Sequence, residues 1–95
     1  MDLDFNRKIW LEADRVINKE STLDYFNELF SFPNYIGNNL DALNDCLSEV
    51  KEGTTFLLTK ECVRKLCDQE YGFKVLMLLG RVGDENPNLH ISFRE

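Results

Sequence analysis

The sequence predicts a single α/β domain spanning residues 1–95, built on a small parallel sheet of three strands. Three observations carry this reading. Residues 8–12 (KIWLE), 54–59 (TTFLLT) and 89–93 (LHISF) each read as a short strand. Between them lie segments whose apolar residues recur at the helical period, so the strands are joined by crossover connections and should run parallel. Ninety-five residues are enough to bury well over half of the surface that the unfolded chain exposes, without a metal or a disulfide framework.

In the first strand Ile9 and Leu11 share one face and Trp10 takes the other. Ser21, followed three residues later by Asp24, resembles a capping box with Asp in place of Glu or Gln. Leu23, Phe26, Leu29 and Phe30 follow at helical spacing, which predicts a helix over about 22–30. Pro33 forbids its continuation, and Gly37 admits backbone angles that Tyr35 or Ile36 would adopt only with strain, so a shaped loop precedes the next helix.

That next helix, over 39–50, organises the chain. Asn39 can cap it, with Asn38 as the competing candidate. Leu40, Leu43, Leu47 and Val50 form an apolar stripe with Cys46 at its edge, and this face should enter the core. On the other side Asp41, Asn44, Asp45 and Ser48 make a polar strip. Asp41 and Asp45 stand at i and i+4, where two like charges repel by roughly 0.2–0.5 kcal/mol on an exposed helix. The helix dipole offsets part of this at Asp41, in the first turn, but not at Asp45.

Gly53 closes this region. TTFLLT lacks alternation, as expected for a middle strand covered on both faces. Thr59 can cap a short helix with Cys62, Val63, Leu66 and Cys67 on one face, which Gly72 should interrupt. Residues 73–82 are almost unbroken in apolar character, and periodicity fits a buried helix and a central strand equally.

Charge and cysteine usage narrow the classes of function. A formal net charge of -6 and a pI near 4.7 repel a nucleic-acid backbone and attract a basic protein, so no direct nucleic-acid binding is expected. Cys46, Cys62 and Cys67 cannot all pair within one chain and form no CxxC, which fits a reducing cytoplasm. The opening MDLDFNRK carries acid where a signal peptide needs positive charge, and no apolar run approaches the roughly 18 residues of a membrane span. The expectation is a soluble chain that stays inside the cell.

The inventory for catalysis is thin. His90 is the only histidine, and it sits inside the last strand. Cys62 and Cys67 lack the paired spacing of a zinc site, and no metal or cofactor is expected. Two nearby aspartates should raise the Cys46 thiol and blunt it as a nucleophile. Gly80 and Gly83 fall in an apolar segment and make no phosphate cradle. Asp41 and Asp45 lie on a wet face without the contrasting environments that a catalytic acid and base require. The chain is not expected to be an enzyme.

Tyr35, Gly37, Asn39 and Leu40, followed by DAL, one variable residue and DCL, resemble the signature segment of the barstar family. Those are small bacterial proteins that inhibit an extracellular ribonuclease of the barnase type before it leaves the cell. The resemblance implies that 73–82 is the last of about four helices packed on the sheet, stopped by Gly83, Asn86 and Pro87. It implies that the acid strip and the loop before it plug the ribonuclease active site, with carboxylates standing in for substrate phosphates.

Residue by residue, Asp45 matches the dominant acidic anchor of the family and Asp41 its neighbour one turn earlier. Tyr35 matches a tyrosine that packs on the enzyme, and Gly37 and Asn39 the residues that shape the loop. Ser48 replaces a threonine, and Glu85 falls on an acidic position of the last helix. There are departures. Asn44 and Val50 stand where typical members carry tryptophan, Ile36 replaces a second tyrosine, Glu49 replaces a glycine, and Arg81 falls where a contacting glutamate is usual. The implied partner is a basic ribonuclease or a related toxin, bound by a chain that is a monomer when free. The alternative is an immunity protein that neutralises a different toxin on the same scaffold.

Overall fold

In the computed structural model, which describes residues 7–30 and 40–94, β2 (Thr54–Thr59) is the middle strand of a three-stranded sheet. It lies between β1 (Arg7–Trp10) and β3 (Leu89–Arg94). Both pairings are parallel: Ile9 lies opposite Phe56, and Phe56 opposite Ile91. Leu11 extends the first ladder by donating its N–H to the Leu57 carbonyl at 3.0 Å. The alternation is the one the sequence predicts, with Ile9 and Leu11 buried and Trp10 57% exposed.

A 3-10 turn, Ala13–Arg15, and helices α1 (Lys19–Phe30) and α2 (Leu40–Ser48) lie between β1 and β2. Helices α3 (Lys60–Cys67) and α4 (Glu70–Glu85) lie between β2 and β3, so residues 73–82 are helical and the fold is the α/β arrangement read from the sequence. The strands advance in one direction across the sheet, and right-handed crossovers that do so place their helices on one face. Burial agrees. Phe56, Leu58 and Leu89 join the core with Phe26, Leu43, Leu47, Leu66, Val75 and Leu79, whereas Trp10, His90 and Arg94 on the opposite face are exposed. The expectation that 54–59 is covered on both faces is thus corrected. On the open face Leu57, 3% exposed, is buried, but Thr55 and Thr59 beside it are only half-buried.

Local chemistry explains the helix limits. The start of α1 falls at Lys19, earlier than the capping box read at Ser21 and Asp24 would place it. Asn18 Oδ1 accepts the Ser21 N–H at 2.9 Å, and Ser21 Oγ accepts the Asn18 N–H at 3.3 Å. Ser21 is therefore the far half of a box headed by Asn18, not its first residue. The last turn of α1 has no basic residue of its own. Arg7 supplies one: its guanidinium donates to the Leu29 carbonyl, lies 4.9 Å from the Phe30 ring centre and pairs with Glu52 at 3.4 Å. This fastens the end of α1 to β1.

As the sequence suggests, Thr59 caps α3, its Oγ1 accepting the Cys62 N–H at 3.0 Å. Cys62 and Leu66 are buried, but Cys67, assigned to the same face, is exposed. Five residues carry it about 140° around the helix from Cys62. The break between α3 and α4 falls at Asp68 and Gln69, and Gly72 does not interrupt a helix but lies in the first turn of α4. A Cβ there would stand 2.6 Å from the Leu66 carbonyl oxygen, so glycine lets the two helix ends touch. Gly83 is likewise inside α4, and the stop is Asn86, whose N–H donates to the Val82 carbonyl at 2.8 Å.

Candidate partner-binding surface

The central helix ends earlier than its apolar stripe suggests. Glu49 and Val50 donate to the carbonyls of Cys46 and Leu47, both at 3.2 Å, three residues back instead of four, so the last turn is tightened. Leu43 and Leu47 are fully buried, while Leu40, Cys46 and Val50 pack half-buried against the core. This buried stripe fixes the rotation of α2. Asp41, Asp45 and Ser48 are consequently exposed, and Asn44 is half-buried between them.

Asp41 and Asp45 lie one turn apart, and neither has an ion pair among the described residues. Ionised carboxylates only accept hydrogen bonds, and two of them on one helix face favour an external donor cation. Ser48 donates its hydroxyl to the Asn44 carbonyl at 2.8 Å, which leaves its oxygen free to accept. The side-chain oxygen of Asn44 is buried without a hydrogen-bond partner among the described residues.

The far end of α2 is held by a residue that the sequence marks only as a stop. Asn86, 5% exposed, directs its side-chain NH₂ at the carbonyls of Leu47 at 2.9 Å, Ser48 at 3.2 Å and Val50 at 3.0 Å. Asn88 adds a bond to the Val50 carbonyl at 3.2 Å, and its N–H donates to Asn86 Oδ1 at 2.9 Å. The last carbonyls of a helix lack partners within it, and here α4 provides them. The available signal was the pair of asparagines around Pro87, a turn composition that also places amide donors.

Glu85, immediately before Asn86, is exposed and belongs to the segment that closes the end of α2. Arg81 is exposed one turn earlier on α4. Tyr35, Gly37 and Asn39, with Ile36 and the competing cap Asn38, lie outside the described residues.

The remaining groups of chemical interest do not converge. Cys46 is pushed up first by burial, then by Glu49 and Asp45, so the expectation of two aspartates is corrected to one aspartate, one glutamate and a larger effect of desolvation. Gly80 and Gly83 lie within α4. Among the described residues no three of His, Cys, Asp and Glu are grouped to hold a metal ion, and no helix is long and apolar enough to cross a membrane.

A comparison with curated proteins gives no match. Residues 6–79 match the family model described as Barstar (barnase inhibitor), a stretch that includes β1, all of α2, β2 and most of α4. Members of that family are inhibitors, not enzymes. The parallel sheet, the acidic face of α2 and this match agree: the chain belongs to the barstar family.

Proposed function

We propose that this chain inhibits a small basic ribonuclease of the barnase type by covering its active site with the acidic face of α2 and the segment before it. The observation that carries the reading is the pair of exposed carboxylates, Asp41 and Asp45, one turn apart and without an ion pair among the described residues. Arginine and lysine clusters that hold a substrate phosphate also hold carboxylate, and such charge-assisted bonds are strong once water is displaced. The net charge of -6 would speed encounter with a basic enzyme.

In this reading Asp45 is the principal anchor, Asp41 supports it, and Glu85 extends the acid set beyond the end of α2. Ser48 and Asn44 supply neutral hydrogen bonding. Tyr35, Gly37 and Asn39 serve from the segment before the helix. The chain performs no catalysis, binds no nucleic acid itself and acts in the cytoplasm as a monomer.

The test is affinity for a barnase-type ribonuclease. Asp45→Ala should cost about 2–5 kcal/mol, the range for truncating one member of a buried, hydrogen-bonded charge pair, to which ribonuclease–inhibitor pairs of this family themselves contributed. Ser48→Ala should cost about 1 kcal/mol, and the association rate should fall as salt rises. Equal, negligible losses for the two variants contradict the assignment of Asp45. Arg81 favours a second reading, since an exposed cation one turn from Glu85 would repel a basic enzyme. Absence of ribonuclease binding, with tight binding of a different toxin, would make the chain an immunity protein on the same scaffold.

A further inference from the structure

The outer edge of β3 borders a hollow against α4 that none of the acidic surface uses. It measures about 790 Å³ and is lined by Met77, Gly80, Arg81, Asp84, Ile91 and Phe93 among others. Two of its walls are apolar side chains left in water: Met77 is 60% exposed and Phe93 65%. A Cβ at Gly80 would meet nothing within 4 Å, so the floor on the α4 side is open. β3 has no strand partner on this side among the described residues, and an apolar strand edge left open is a template for another strand.

The charge around the edge is opposite to that of the whole chain. Arg81 lines the hollow, and Lys60 and Arg94 flank Phe93 on its other side. None of the three has an ion pair among the described residues, a state they share with Lys8, Lys19, Lys51 and Arg64; what sets them apart is that they gather around one strand edge. Asp84 is the acid of the lining. Three unpaired cations gathered at one edge of a chain of net charge -6 mark an acidic ligand.

We propose that the open edge of β3 receives, as a fourth strand, an extended segment of a partner protein in which apolar and acidic residues alternate. The alternation follows from the strand period. Side chains on the same face as Ile91 and Phe93 enter the hollow beneath Met77 and over Gly80. Those of the opposite face stand beside Arg94, where acid pairs across the strands, while Arg81, on the hollow side, adds attraction at longer range. Backbone bonds to β3 supply affinity and the hollow supplies selectivity, as in other strand additions. The occupant is distinct from the partner of α2.

The experiment uses two fluorescein-labelled eight-residue peptides, one alternating valine and aspartate and one alternating valine and lysine. Each is titrated into the full chain by anisotropy, with backbone amide shifts recorded by NMR. The aspartate peptide should bind and the lysine peptide should not. The affinity should fall about tenfold in the Arg81→Glu, Arg94→Glu double variant, and the shifts should concentrate in β3 and α4. Binding by neither peptide, equal binding by both, or shifts centred on α2 overturns the proposal. A concentration-dependent dimer that Phe93→Glu dissolves and the aspartate peptide does not displace would assign the edge to a second copy, and overturns it as well.

Discussion

The side-chain nitrogen of Asn86 lies 2.9 Å from the carbonyl oxygen of Leu47, and this bond joins the end of α4 to the end of α2. Asn86→Ala leaves the Ser48 carbonyl without its donor and takes one of two donors from the carbonyls of Leu47 and Val50, which should cost about 1–3 kcal/mol in urea unfolding. Asn86→Asp should cost more, because a carboxylate would face three carbonyl oxygens. Glu85→Ala, one residue away but exposed, should leave stability within about 0.5 kcal/mol.

Two glycines of α4 should respond with opposite signs. At Gly72 a methyl group would meet the backbone of Leu66 at 2.6 Å, so Gly72→Ala must separate α3 from α4 and should destabilise by about 1–3 kcal/mol. At Gly80 the same methyl meets nothing within 4 Å, and Gly80→Ala should stabilise by about 0.5–1 kcal/mol through the helix preference of alanine. Thermal unfolding of the two variants side by side reads the difference.

Capping gives a test of where α1 begins. Asn18→Ala should cost about 1 kcal/mol, as should Thr59→Ala at the head of α3. Asp24→Ala, at the position that the sequence pattern suggested for the capping box, should change little. Chemical denaturation of the three variants would place the cap three residues too early if Asp24→Ala proved the costly one.

Stability should decline in alkali. Burial is the largest cause raising Cys46, Cys62, Tyr25 and Tyr71 above their ordinary values. A group whose folded pKa is raised binds its proton more tightly in the folded state, so its contribution is complete below the unfolded value and is lost as pH rises through the folded one. Unfolding free energy should therefore hold to about pH 8 and fall through the thiol and then the phenol range. Replacing Cys62 by alanine should remove its share of the thiol part of that fall, and replacing Cys46 as well should remove the rest.

Much of the architecture was legible because period and punctuation agreed. Alternation placed Trp10 outside and Ile9 and Leu11 inside, Thr59 announced a cap, and the stripe Leu40, Leu43, Leu47 fixed which side of α2 carries Asp41 and Asp45. What period could not decide was set by tertiary packing. Residues 73–82 have an apolar content that serves a strand as well as a helix, and the resemblance had to choose. The face of β2 that holds Leu57 depends on which side the crossovers deposit their helices, which no local pattern records. Gly72 looked like a breaker because glycine breaks helices, but it is a contact residue of Leu66. The clamp at Asn86 was hidden for the same reason, since its three acceptors lie 36–39 residues earlier.

The most direct test of the central claim is a titration of this chain into a barnase-type ribonuclease at low salt, following RNA cleavage, with Asp45→Ala beside it. Stoichiometric loss of cleavage is expected with the unmodified chain, and little loss at the same concentration with the variant. Unchanged cleavage with both would contradict the assignment of α2 as a ribonuclease-blocking surface, and equal inhibition by both would contradict Asp45 as its anchor.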